Sequence, residues 1–208
     1  MMTIEMAADT LPFLTILATA VATAGAAQVA ILAKDHWLQS REGKFSSLYA
    51  ALFFEQYAAD CSYVLGEKDS FISSEGHAGT DSGALPPLPE FPEEIDWRRV
   101  GIRLTEDAFA FRVARDSAQS MINYLYEFDP PDGGDFEMQV ETAAKGIMAL
   151  DLARRIRDTA RLRPAQIPNR EYTPERYLRE RSARLQAIVK ERADAQKASL
   201  AALNEGLV

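Results

Sequence analysis

Twenty-three consecutive residues near the start of the chain, Leu11 to Ala33 in LPFLTILATAVATAGAAQVAILAK, carry no charge, and Asp9 and Lys34 bound them. As a helix rising about 1.5 Å per residue, the stretch reaches about 34 Å, enough to cross a hydrocarbon core of about 30 Å with slight tilt. Its apolar character is moderate: nine strongly apolar residues, eight Ala, three Thr, and Pro12, Gly25 and Gln28. An export signal would use the small residues around Ala22-Thr23-Ala24 as its cleavage site, yet residues 1–10 hold Glu5 and Asp9 and no Lys or Arg, the wrong sign for a basic leader. A core helix buried on all sides also reads Ala-rich. An uncleaved transmembrane helix over 11–33 fits length and flanks best.

The flanks set an orientation. Lys34, Arg41 and Lys44 follow the segment and no basic side chain precedes it, so the positive-inside rule places the C-terminal bulk in the cytoplasm and residues 1–10 outside. Lys34, Trp37, Arg41 and Lys44 are the candidate membrane-interface residues, with the Trp37 indole suited to the headgroup layer. Ala18, Ala22, Ala26 and Ala30 recur every four residues beside a row of Thr15, Thr19 and Thr23, a small-residue face on which two spans can pack. Membrane lipid and a second copy of the chain are therefore the first partners expected.

Beyond the span the pattern stays helical. Phe45, Tyr49, Phe53, Tyr57, Cys61 and Leu65 repeat every four residues, with Leu48 and Leu52 alongside, and read as a core stripe. Periodicity stops at Gly66; residues 66–93 are rich in Gly, Ser, Asp and Pro and read as one long loop whose LPPLPEFP run favours an extended strap. Thr105 suits an N-cap, predicting a helix over about 105–128 with Phe109, Val113, Met121, Leu125 and Phe128 inward. A helix over about 135–163 and a last one opened by Thr173-Pro174 complete an all-α expectation. The layout is a span behind a cytosolic antiparallel bundle of about four helices: linker 34–44, helical domain 45–163, linker 164–173 and a C-terminal amphipathic helix over 174–208.

Charge is polarised along the chain. Residues 55–141 hold 19 Asp and Glu against 6 Lys and Arg, while residues 154–197 hold 13 Lys and Arg against 6 Asp and Glu. A formal charge of −8 argues against a nucleic-acid coat. Arg154, Arg155, Arg157, Arg161, Arg176 and Arg179 are the candidate contacts to anionic lipid, with pairing to the chain's own acidic middle as the competing reading.

No catalytic signature stands out. His36 and His77 have no partner at metal-ligand spacing, Cys61 is the single cysteine, and neither a phosphate-cradling Gly loop nor a G-x-S-x-G elbow is present. The residues point to no cofactor and no metal. The layout resembles that of short bacterial proteins with one N-terminal span and a helical cytosolic portion, a likeness of architecture that carries no function. With no catalytic signature, the expectation is a non-enzymatic protein of the bacterial inner membrane acting through protein–protein interaction or self-association at the cytoplasmic face. Two alternatives stay open: an enzyme with a site beneath the 66–93 loop, and a soluble structural subunit of a larger assembly, such as a phage, with 11–33 buried.

Overall fold

The computed structural model describes the backbone of residues 10–128, 132–165 and 172–205, and the side chains of Lys34, 41–128, 133–165 and 172–199. Among these residues it is all-helical, with five helices and no strand: α1 (Thr10–Ser73), α2 (Trp97–Val100), α3 (Ile102–Phe128), α4 (Asp132–Thr159) and α5 (Pro174–Glu205). The chain divides into two compact units, Met1–Gly43 and Lys44–Val208. Within the first, α1 supplies a helical backbone from Thr10 onward. The side chains of 10–33 and 35–40 lie outside the described residues, so the expected span, the Ala18–Ala22–Ala26–Ala30 face and Trp37 have no described surroundings. Among the described residues no helix is long and apolar enough to cross a membrane.

The second unit is a four-helix bundle built from the C-terminal part of α1 with α3, α4 and α5. Phe54 and Tyr57 of α1 pack edge-on against Phe111, and Val64 packs beside Ala118 and Ile122, so α1 and α3 run parallel. Ion pairs Arg157–Glu55 and Lys68–Asp135 set α4 antiparallel to α1, and Arg154–Glu175 with Arg179–Asp151 set α5 antiparallel to α4. Two parallel neighbours need a crossover that returns the chain to the starting end. The Pro-rich segment supplies it.

Several sequence expectations change. α1 does not stop at Gly66 but runs two further turns to Ser73, where the Ser70 hydroxyl donates to the Gly66 carbonyl (2.9 Å) and the Ser73 hydroxyl to that of Ser70 (3.2 Å). Its buried face is Ala50, Ala51, Phe54, Tyr57, Ala58, Cys61 and Leu65, whereas Phe45 is 54% exposed and Tyr49 and Leu52 are exposed. A row stepping by four residues rotates about 40° per step, because a helix advances 100° per residue. Phe45 and Leu65 therefore cannot share a face. α3 starts at Ile102, after Gly101 in a left-handed conformation, and Thr105 is not a cap: its hydroxyl donates back to the Gly101 carbonyl (3.0 Å). Of the inward residues expected on α3, Phe109, Val113, Met121 and Phe128 are exposed; Leu104, Ala108, Phe111, Ala118 and Ile122 are buried instead. At α5 the cap is as expected, with the Arg176 amide donating to the Thr173 hydroxyl (3.2 Å).

Two helix ends share one termination device. At α1 the Gly76 amide donates to the Phe71 carbonyl (2.9 Å) and the Glu75 amide to that of Ile72 (3.3 Å); at α4 the Leu162 amide reaches Arg157 (2.9 Å) and the Arg161 amide Asp158 (3.2 Å). This double bond pattern places a residue in the left-handed region, where glycine is favoured, yet Glu75 (φ 55°) and Arg161 (φ 52°) occupy it. Arg161→Gly should therefore be more stable than Arg161→Ala by about 1 kcal/mol, both lacking the charge and only Ala keeping the strained Cβ. Urea denaturation of the two variants checks it; equal midpoints would remove the strain from Arg161.

Candidate functional site

The strap leaves α1 at Gly79, whose left-handed backbone (φ 78°) lies so close to α1 that a Cβ would run into the Glu67 carbonyl. It then descends along α3. Gly83 sits against the Tyr126 ring, the Leu85 amide donates to the Gln119 side-chain carbonyl (2.8 Å), and Arg115 donates to the carbonyls of Leu85 (3.3 Å) and Pro86 (2.9 Å). Arg112 follows, donating to the Pro89 carbonyl (2.7 Å) with its guanidinium 4.5 Å from the Phe91 ring centre. Phe91 packs among Phe53, Trp97 and Phe109, and the strap ends where the Asp96 amide donates to the Ser46 hydroxyl (3.2 Å). Proline suits this path because it holds an extended backbone and offers carbonyls without donors. The expected strap is thus observed, held by arginines of α3.

The top of the strap is fixed by a clasp. The Lys68 ammonium, its side chain only 3% exposed, pairs with Asp81 of the strap and Asp135 of α4 (2.8 Å to the latter), and the Tyr126 hydroxyl donates to the other Asp135 oxygen. Gly134 leaves room for the Tyr126 ring, since a Cβ there would stand 2.8 Å from it. Burial works against the lysine's charge, but the two carboxylates more than offset it and raise its pKa. Burial likewise opposes the Asp135 charge, and the hydrogen bonds from Lys68 and Tyr126 hold its pKa below the usual carboxylate value. A carboxylate depressed in the folded state stabilises above the unfolded pKa and loses that contribution as pH falls through the folded one; the raised lysine loses its contribution only above 10.5. The urea midpoint should accordingly stay level from about pH 9 to pH 5 and fall below about pH 4. A midpoint that declines already between pH 7 and pH 5 would contradict this.

The arginines expected to touch lipid are committed to the chain's own acids. Arg154 pairs with Asp151 (2.9 Å) and Glu175 (2.8 Å), Arg155 with Asp107, Arg176 with Glu180 (2.8 Å), and Arg179 with Glu175 (3.0 Å) and Asp151 (3.2 Å). Arg157 is buried, forked onto both Glu55 oxygens (2.6 and 2.9 Å) and donating to the Arg163 carbonyl (2.9 Å), which withdraws it from any outer surface. Arg161 is exposed at the end of α4. Lys34, Arg41 and Lys44 are exposed as well.

Cys61 is buried and its thiol is pushed up to about 12, first by desolvation, so it is no nucleophile at neutral pH. Among the described residues no group of His, Cys, Asp or Glu is placed to hold a metal ion. Cavities away from the clasp include a groove of about 730 Å³ between α1, α4 and the start of α5, lined by Gln56, Ala59, Leu150, Pro164 and Pro174 among others, one of about 470 Å³ where the start of α3 at Ile102 meets Arg155 and Thr159 of α4, and one of about 360 Å³ between α3 and α4 beside Met148.

What the packing leaves over is one side of α3. Core and strap take the faces carrying Phe111, Arg115 and Ile122, and α4 takes a third. Ile102, Val113, Met121, Tyr124 and Phe128 then look outward, with Ile102 at 84%, Val113 at 69% and Phe128 at 62% exposure, while half-exposed Phe109 packs on Phe91 and Trp97. Glu106, Ser117 and Ser120 are exposed among them on the same side. Of the apolar residues, Phe109, Val113, Met121 and Phe128 are the ones that the sequence pattern places inward, because Arg115 interrupts the row that is buried. No protein-family model, curated protein or solved structure matches this chain.

Proposed function

We propose that the chain is a non-enzymatic, single-span protein of a bacterial inner membrane, with its N-terminus outside and the Lys44–Val208 unit at the cytoplasmic face, acting by protein–protein contact or self-association. The observation that carries the anchor is the uncharged stretch Leu11–Ala33 bounded by Asp9 and Lys34, with basic residues only on its C-terminal side. A helical backbone from Thr10 onward supports it. The outward apolar side of α3 supports action by contact, and anchoring would raise the effective concentration of whatever meets it. Lys34, Trp37, Arg41 and Lys44 would sit at the headgroups, and Ala18, Ala22, Ala26 and Ala30 would pair spans.

Fractionation tests the anchor. The tagged full-length chain should stay with membranes after a high-salt wash, and a chain lacking residues 1–34 should move to the soluble fraction. Finding both in the soluble fraction would overturn the reading. Sidedness is checked with Ser199→Cys: an impermeant maleimide should label it only after the inner membrane is opened.

A further inference from the structure

We infer that the clasp end of the Lys44–Val208 unit is a hinged tip: strap residues 80–88, the end of α3 from Ala118 and the start of α4 to Met138 open together as one piece while the main core stays closed, with Lys68 as the latch between tip and α1. This goes beyond the contact function proposed above and does not depend on the anchor.

Among the described residues the buried apolar side chains form two clusters. The larger runs through Phe54, Phe111, Leu152 and Ile156; the smaller holds Leu85 of the strap, Ala118 and Ile122 of α3 and Met138 of α4, with Val64 of α1 packed against it. Polar groups stand between the clusters on both helices that move. On α3, Arg115 falls between Phe111 and Ala118 and serves the strap carbonyls of Leu85 and Pro86. On α4, Gln139 and Thr142 fall between Met138 and Ala143, with the Gln139 amide donating to the Asp135 carbonyl (3.2 Å) and the Thr142 hydroxyl to that of Met138 (2.6 Å). Segments with few buried apolar contacts open at lower free energy than the core, in contiguous cooperative pieces. The break between the clusters sets the edge of such a piece.

Within the tip, its three parts are tied to one another. The Tyr126 ring lies between Gly83 of the strap and Gly134 of α4, where an added Cβ would stand 3.3 and 2.8 Å from it, and its hydroxyl donates to Asp135. The Leu85 amide donates to Gln119 of α3 (2.8 Å). To α1 the tip is held by Val64, by the Thr80 hydroxyl donating to Glu67 (3.2 Å), and by Lys68, which reaches Asp81 of the strap and Asp135 of α4 at once. Opening therefore breaks both Lys68 pairs and bares Val64, Ile122 and Met138, apolar side chains that the closed form hides.

Hydrogen exchange of the full-length chain in detergent, read by mass spectrometry, tests the hinge with two matched variants, because Ile122 and Ile156 are both fully buried, one in each cluster. Ile122→Val weakens the closed tip relative to every opened state, so it should speed exchange about three- to tenfold in the tip and in the main-core segment 50–61 alike. Ile156→Val weakens only the main core, which stays intact when the tip opens, so it should speed 50–61 by a similar factor and leave 118–126 and 134–138 unchanged. Lys68→Met should speed 118–126 and 134–138 together by about thirtyfold or more. The hinge is overturned if Ile156→Val speeds the tip as much as the main core, which would make the bundle one cooperative unit, or if Ile122→Val speeds strap residues 80–88 while the ends of α3 and α4 stay protected. Unchanged tip exchange in Lys68→Met would remove the latch.

Discussion

Phe54→Ala should lower the stability of the Lys44–Val208 unit by about 3–5 kcal/mol, the usual result of emptying an aromatic site in a packed core. Phe54 is fully buried and joins three segments that are distant in sequence. Its ring lies 5.4 Å from Phe111 of α3, 6.2 Å from Phe91 of the strap and 5.3 Å from Phe53, each edge to face. Those contacts add to the loss of burial, since edge-to-face pairs contribute about 0.5–1.5 kcal/mol beyond area. For a unit of this size the thermal midpoint should drop by about 10 °C. Phe45→Ala is the comparison. If the four-residue row were the core stripe, both variants would behave alike; with Phe45 half in solvent, its loss should change the stability by under about 1 kcal/mol. Equal effects would mean that the buried face of α1 is misassigned.

The difference between those two phenylalanines explains how much of the fold could be read from the sequence. Helix content and approximate helix positions were legible, because apolar recurrence at three and four residues, the Pro stops and the Thr173-Pro174 start are local signals. Which face turned inward was not. A row of six residues at four-residue steps looks like a seam, but only alternating steps of three and four keep a side chain on one face: Tyr57, Cys61 and Leu65 of the row are buried, Phe45 and Tyr49 are not, and Ala50, Ala51 and Ala58 are too small to draw attention. α3 misled for the opposite reason. Its inward row contains Arg115, whose guanidinium serves strap carbonyls that belong to residues about thirty positions earlier, a partner no local pattern reveals. The outward apolar residues were then left as the only apparent core.

The direction of the helices hangs on the same strap. A long Gly, Ser and Pro segment announces a connection, yet its function as a crossover between parallel α1 and α3 depends on where it is held. The holding groups are Ser46, Arg112, Arg115, Gln119 and Lys68, each of which would pass for an ordinary surface residue in sequence. Composition makes self-pairing of the arginines legible, and the acids of α1, α3, α4 and α5 take up Arg154, Arg155, Arg157, Arg176 and Arg179. Which apolar side chains of α3 stay outward emerges only after those contacts are subtracted.

Lys68→Met should be the most damaging single change among the charged residues. Methionine matches the length and the burial of the side chain but removes the charge that Asp81 and Asp135 face, so two carboxylates lose their shared partner at one stroke. Breaking a fully buried pair costs about 3–5 kcal/mol; here both acids keep some access to water, which reduces the expected loss to about 2–3 kcal/mol at pH 7. The strap should loosen with it, giving faster proteolysis within residues 74–84 than in the parent. Acid supplies the diagnostic. Asp135 is held below its ordinary pKa by Lys68 first and Tyr126 next, so the parent loses stability as pH falls through that range, whereas the variant, which keeps only the Tyr126 hydrogen bond, has less to lose. The gap between the two urea midpoints should therefore narrow from pH 7 to pH 3. Adding Asp81→Asn and Asp135→Asn to Lys68→Met should recover part of the loss at pH 7, since neutral groups no longer repel or demand a counter-charge. A gap that is constant with pH, together with no recovery in the triple variant, would reduce Lys68 to a packing residue and take the clasp away from the strap.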